Sequence, residues 1–288
     1  MKRKKFWIVF SIVLVCVVAI NVFFALLFRI QKVDVEFRQR AEATSTNLPS
    51  NVQQKVLDSG NFPYGLSILF VSVNRNVATI EKDIPYVKVN QVIRYFPNRL
   101  GVYISERTPK FRVRDTYETD KWYILDEDFK VLDRVTTAEL IDGSSHYNET
   151  TMFYYDKTFE VDPNYLTIEA QVGEFISKPE QMELLVKIAD GIYAATTDVS
   201  RVKNVLIEEV DGEKHIELTM KTSASGNDTG GKILITGTDN IEVKVQAAVY
   251  TYVDKIWKSD DPSIDQTSIV FVVTVDANGK INVLQTEE

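Results

Sequence analysis

Between residues 6 and 28 the chain reads FWIVFSIVLVCVVAINVFFALLF, 23 residues without a charge. No other feature limits the possible folds as strongly, because an apolar run of this length has few places to go. At 1.5 Å per helical residue it is long enough to cross a hydrocarbon core about 30 Å thick. Phe6 and Trp7 stand at one boundary, where amphipathic rings are favoured, and Lys2, Arg3, Lys4 and Lys5 precede it. A basic flank of that kind orients a span with its N-terminus in the cytoplasm. A cleaved signal would have a shorter apolar core ending in small residues, whereas NVFFALLFRIQ is bulky. The sequence therefore predicts a cytoplasmic tail over 1–5 and an uncleaved transmembrane helix over 6–28. It predicts a single-pass cell-membrane protein whose bulk lies outside the cytoplasm.

Charge narrows the partners of that bulk. The net charge is −8, and past the four N-terminal cations 29 basic residues face 41 acidic ones. An acidic body is poorly suited to hold nucleic acid by charge. Cys16 has no second cysteine to pair with, so a disulfide, a redox pair or a thiolate zinc site within the chain is excluded. His146 and His215 are far apart in sequence and read as ordinary surface or half-buried residues.

Past the apolar run, IQKVDVEF (30–37) alternates as a strand with one buried face. Ser50-Asn51-Val52-Gln53 is a capping box that opens a helix ended by Gly60. A second short helix follows Ser72, with Val73, Val77, Ile80 and Ile84 on one face. Then come two strands, VKVNQVIRY and LGVYIS, joined by turn chemistry at Pro97-Asn98. The order strand, helix, helix, strand, strand predicts an α+β unit over 29–108, with its helices on one face of a three-stranded sheet.

From 109 to 285 the pattern is that of a mixed β domain with two amphipathic helices, followed by a tail over 286–288. KFRVRD, KWYILDE, KVLDRV and YLTIEAQV read as strands, while 136–162 is irregular. Ser177-Lys178-Pro179-Glu180 opens a helix with Met182, Leu185, Val186, Ala189, Ile192 and Tyr193 on one face. Asp211-Gly212 marks a hairpin, and SASGNDTGG a loop before the strand KILITG. A longer helix carries Ile241, Val245, Ala248, Val249, Tyr252, Val253 and Ile256 as its apolar stripe. A last hairpin turns at Asn278-Gly279.

Chemistry-bearing motifs are missing. The chain has no G-x-S-x-G elbow, phosphate loop, G-x-G-x-x-G or H-E-x-x-H. Asp126, Glu127 and Asp128 fall in a turn, where acidic residues serve geometry and solubility, and Asp260, Asp261 and Asp265 lack calcium-loop spacing. The sequence points to no catalytic residue, metal or cofactor.

What remains is the patterned stretch IPYVKVNQVIRYFPNRLGVYISERTPKF. It carries, in order, Pro85, Tyr86, Val87, Val92, Arg94, Pro97, Leu100, Val102, Ile104, Glu106, Arg107 and Pro109. In this it resembles the POTRA domain of the FtsQ/DivIB family of bacterial cell-division proteins. WYILDEDFKVL is similar to the hairpin that opens the family's β domain, with Phe129 standing where the family has glycine. The C-terminal helix and strand pair is similar to the family's closing elements. The first strand departs from the family's ending, with VEFRQRAEA in its place. The resemblance implies a non-enzymatic, bitopic scaffold at the division septum, binding FtsB/DivIC-like and FtsL-like partners and helping regulate septal peptidoglycan synthesis. It also implies that a partner adds a strand to the edge of the last β-strand, here Lys280, Ile281, Asn282, Val283 and Leu284. A bare strand edge suits this, since backbone pairing supplies affinity and alternate side chains supply selectivity. Arg94 is a candidate contact to another division protein, or a plain surface residue. The alternative is a membrane-anchored POTRA module that docks polypeptides outside cell division.

Overall fold

The computed structural model describes residues 2–38, 51–69, 71–142, 158–177, 179–196, 201–222, 229–257, 266–276 and 278–287. His146, the 223–228 part of the SASGNDTGG loop, and Asp260, Asp261 and Asp265 lie outside them. The chain divides into two units, Met1–Arg107 and Thr108–Glu288.

The first unit opens with helix α1 (Lys2–Leu27). The expectation of a membrane-spanning segment over 6–28 is corrected here. Among the described residues no helix is long and apolar enough to cross a membrane. The single-pass, cell-membrane placement with the bulk outside and a septal address is corrected with it, because the span was its only physical basis.

The α+β character expected from the sequence is present. Strand β1 (Lys32–Phe37) is followed by α2 (Val52–Gly60), α3 (Val73–Asp83), β2 (Val87–Tyr95) and β3 (Arg99–Glu106). The sheet order is β1-β3-β2, with β1 parallel and β2 antiparallel to β3. The central strand is buried from Leu100 to Ile104 on both faces. Its simple alternation did not forecast that. The second face is covered by Tyr95, whose hydroxyl lies 2.6 Å from that of Tyr103, and by Arg38, 4.1 Å over the Tyr103 ring.

In the second unit a mixed sheet is assembled from β4 (Phe111–Arg114), β5 (Lys121–Leu125), β6 (Val131–Thr136), β7 (Phe159–Val161), β8 (Val202–Val210), β9 (Glu213–Lys221), β10 (Thr229–Thr236), β11 (Ile269–Val275) and β12 (Ile281–Glu287). Their order is β12-β11-β10-β9-β8-β7-β4-β5-β6. The expected strand YLTIEAQV is absent. The N–H groups of Tyr165 and Leu166 both donate to the Asp162 carbonyl, which coils the chain there, and Leu166 is buried by that turn. The irregular stretch instead supplies β7 and a short helix, α4 (Thr137–Asp142).

Helices α5 (Pro179–Ala195) and α6 (Ile241–Tyr252) share one apolar core with the sheet. A side chain at Gly191 would come within 2.5 Å of the Glu242 carbonyl, so glycine is what lets α5 approach α6. The buried stripe of α6 is the one its periodicity predicts, and a π-helical turn (Val253–Trp257) carries it on to Ile256. That of α5 is rotated, burying Leu184 and Ile188 beside Leu185, Ala189 and Ile192, while Tyr193 is largely exposed.

Candidate partner-binding edge

Strand β12 is the last strand at one end of the sheet and, among the described residues, is paired to β11 alone. Alternating Val, Ile and Phe residues make β11 a strand that suits a pleated, half-buried surface. The turn that returns the chain is built by Asp276. Its N–H donates to the Lys280 carbonyl at 2.9 Å, and its own carbonyl accepts the Gly279 N–H at 2.9 Å. Its carboxylate accepts the N–H groups of Asn278 and Lys280, each at 2.9 Å. Gly279 sits at φ 78°, which a side chain would resist.

This turn sets the phase of the whole edge. With Asp276 bonded to Lys280, the next hydrogen-bonded pairs in the antiparallel register are Thr274 with Asn282, Val272 with Leu284 and Val270 with Thr286. The N–H and C=O groups of Ile281, Val283, Gln285 and Glu287 therefore point away from β11, toward the open side. On the side-chain level the same alternation holds. Ile281 and Val283 pack against the core, while Leu284, on the opposite face, is 54% exposed. The edge offers outward backbone groups on residues whose side chains are anchored, so the strand is held rigid where a partner would pair.

The structure places the predicted site residues unevenly. Ile281, Asn282, Val283 and Leu284 are in the edge strand, and Lys280 belongs to the turn. The strand runs on through Gln285, Thr286 and Glu287, part of which the sequence assigns to a tail. The signal for that extension was the continuing alternation with β11, legible only once the register is known.

The other candidates lie in the first unit. Arg94 is exposed along its stem, but its guanidinium donates to the Val71 carbonyl at 3.0 Å, tying β2 to the segment before α3. Pro85, Tyr86 and Val87 are buried, as are Leu100, Val102 and Ile104 of β3. Val92 is half-buried on β2, Pro97 lies in the β2–β3 turn, and Pro109 opens the second unit. Arg107 is 5% exposed, pairs with Glu81 at 3.2 Å and donates its N–H to the Tyr86 carbonyl, while Glu106 pairs in register with Val87. Apart from Pro109, these motif residues belong to the first unit, where they serve its fold.

No cluster of three or more His, Cys, Asp or Glu able to hold a metal ion occurs among the described residues. His215 is half-buried on β9. Asp126 is spent on its own turn, its carboxylate accepting the N–H groups of Asp128 and Lys130 at 3.0 and 2.8 Å. That turn also holds Phe129. Its φ is 58°, where glycine is free and other residues are strained. The ring compensates by being buried and stacked on Phe111 at 4.9 Å between centroids.

The chain matches no protein-family model and is similar to no curated protein at a significant level.

Proposed function

We propose that this chain is a non-enzymatic scaffold of the bacterial division machinery. Its β12 edge captures an extended segment of an FtsB/DivIC-like partner, with an FtsL-like chain in the same assembly, and the capture helps regulate septal peptidoglycan synthesis. One observation supports the docking step: β12 ends the sheet with the backbone of Ile281, Val283 and Gln285 turned outward. The resemblance in the stretch from Pro85 to Pro109 supports the choice of partner. Each added backbone hydrogen bond contributes about 0.5–1.5 kcal/mol net, so several in register, together with side-chain contacts that offset the cost of association, give a specific, reversible complex.

The phase of the edge makes the test sharp. Val283→Pro removes a donor that faces the partner and leaves the bonds to β11 intact. The variant should fold and fail to co-purify a DivIC-like chain. Capture that persists in the folded variant refutes strand addition at β12. A pull-down that recovers other partners, lost on the same substitution, refutes the division reading and leaves the docking edge standing.

A further inference from the structure

A second bare edge lies inside the same sheet. The two-residue turn at Asp211 (φ 54°) and Gly212 (φ 81°) makes Val210 and Glu213 the closing hydrogen-bonded pair of the β8–β9 hairpin. By alternation, the backbone groups of Val205, Ile207 and Glu209 face away from β9. Val205 is met by β7, which pairs through Val161 and then ends. Beyond it the chain turns off at Asp162, whose carboxylate accepts the Asn164 N–H at 2.6 Å. Among the described residues Ile207 and Glu209 are therefore left without a neighbouring strand, along a groove of about 650 Å³.

The far wall of that groove is Asp162, Asn164 and Tyr165 with Glu180 and Gln181 from the start of α5. Asp162, Glu180, Glu208 and Glu209 line the groove with one cation among the described residues, Lys214, which shares a face of the hairpin with Glu209 while Glu208 lies on the other. Among the described residues none of these four carboxylates makes an ion pair. The Tyr165 hydroxyl is buried with no hydrogen-bond partner among the described residues. Burial, and then the charge of Glu180, push its pKa up to about 12, so it stays a neutral donor.

We propose that this groove binds an extended peptide bearing lysine or arginine side chains, which pairs as a short strand with the backbone of Ile207 and Glu209. The open backbone suits a strand-forming ligand, and the excess of carboxylates over cations among the described lining residues selects a cationic one. The inference is independent of the β12 edge.

The test uses the full chain and a fluorescein-labelled hexapeptide alternating lysine and valine. Its glutamate–valine counterpart and two versions N-methylated on either alternate set of amides complete the series. The lysine peptide should bind and the glutamate peptide should not. One of the two N-methylated peptides should lose binding. Glu208→Gln with Glu209→Gln should weaken binding roughly tenfold with an unchanged circular dichroism spectrum. On binding, the Ile207 and Glu209 amides should become protected from hydrogen exchange, while those of Val283 and Gln285 do not change. Equal binding of both charge types, or full binding by both N-methylated peptides, overturns the proposal. Protection at Val283 and Gln285 instead also overturns it, and leaves the β12 reading untouched.

Discussion

The two ends of the second unit's sheet are finished in opposite ways. At one end the start of β6 is covered by its own chain. Val131 donates its N–H to the Glu174 carbonyl and accepts the Gly173 N–H, at 2.9 and 2.8 Å, and Lys130 bridges to Phe175. Phe129 accepts the Ile176 N–H and locks this cover to the core through Phe111. Arg134 of β6 is further tied to Asp115 and Glu118 across the neighbouring strands. At the other end β12 has no such cover among the described residues, and its outer positions are half-buried or exposed. A fold that invests this much in sealing one edge and leaves the other bare treats the two differently. Polar Asn282, Gln285 and Thr286 keep the bare edge soluble without closing it.

Four experiments break or sharpen this contrast. The largest effect is expected from Phe129→Ala, which removes a buried ring and should cost about 3 kcal/mol in urea unfolding. Relief of left-handed strain is not part of the gain, since alanine is strained there too. Loss of less than about 1 kcal/mol would mean that the cover of β6 is held by its backbone bonds alone.

Next comes acid. Burial raises the Asp115 pKa, but the Tyr117 N–H, the Arg134 guanidinium and the Glu118 N–H outweigh it and bring the group to about 2, from 3.8. Because the folded value is the lower one, the stabilisation is complete above about pH 4 and is lost as the pH falls toward 2. Up to about 2 kcal/mol should disappear in that window, and Asp115→Asn should remove this share of the acid dependence. Exchange measured in acid should speed up first at Arg134 and its neighbours rather than at β12.

The third pits two prolines against each other at the open end. Leu284→Pro removes a donor used inside the ladder to β11 and should cost about 1–3 kcal/mol, whereas Val283→Pro should cost less than about 1 kcal/mol because its N–H faces out. Equal costs would show that the phase assigned to the edge is wrong. The smallest effect is at the closed end. Gly173 sits at φ 88°, so Gly173→Ala should cost about 1 kcal/mol and raise exchange at the Val131 amide, partly reopening β6.

Much of the first unit was legible because its signals are local. Helix α2 ends at Gly60 as expected, Ile80 is buried at the centre of the α3 stripe, and the hairpin turns at Pro97-Asn98, all readable from spacing and turn chemistry, whereas the N-cap of α2 is Asn51 without a side-chain cap bond and Ser50 of the expected capping box lies outside the described residues. The stripe of α6 was legible for the same reason. The coil at 163–172 was not, since YLTIEAQV alternates like a strand and only the carbonyl of Asp162 decides otherwise. The apolar run of α1 set an expectation of membrane crossing that the described helix does not meet.

By itself the sequence determined the α+β class, most of the elements and the turn at Asp276–Lys280, because short-range sterics and hydrogen bonding decide those. Which strand stands beside which was decided only in three dimensions. That β12 is an edge while the start of β6 is covered, and that β8 outruns β7 beyond Val205, depends on pairings between segments distant in the chain. Backbone groups are chemically alike in every residue, so no local pattern records which of them finds a neighbour and which is left facing outward.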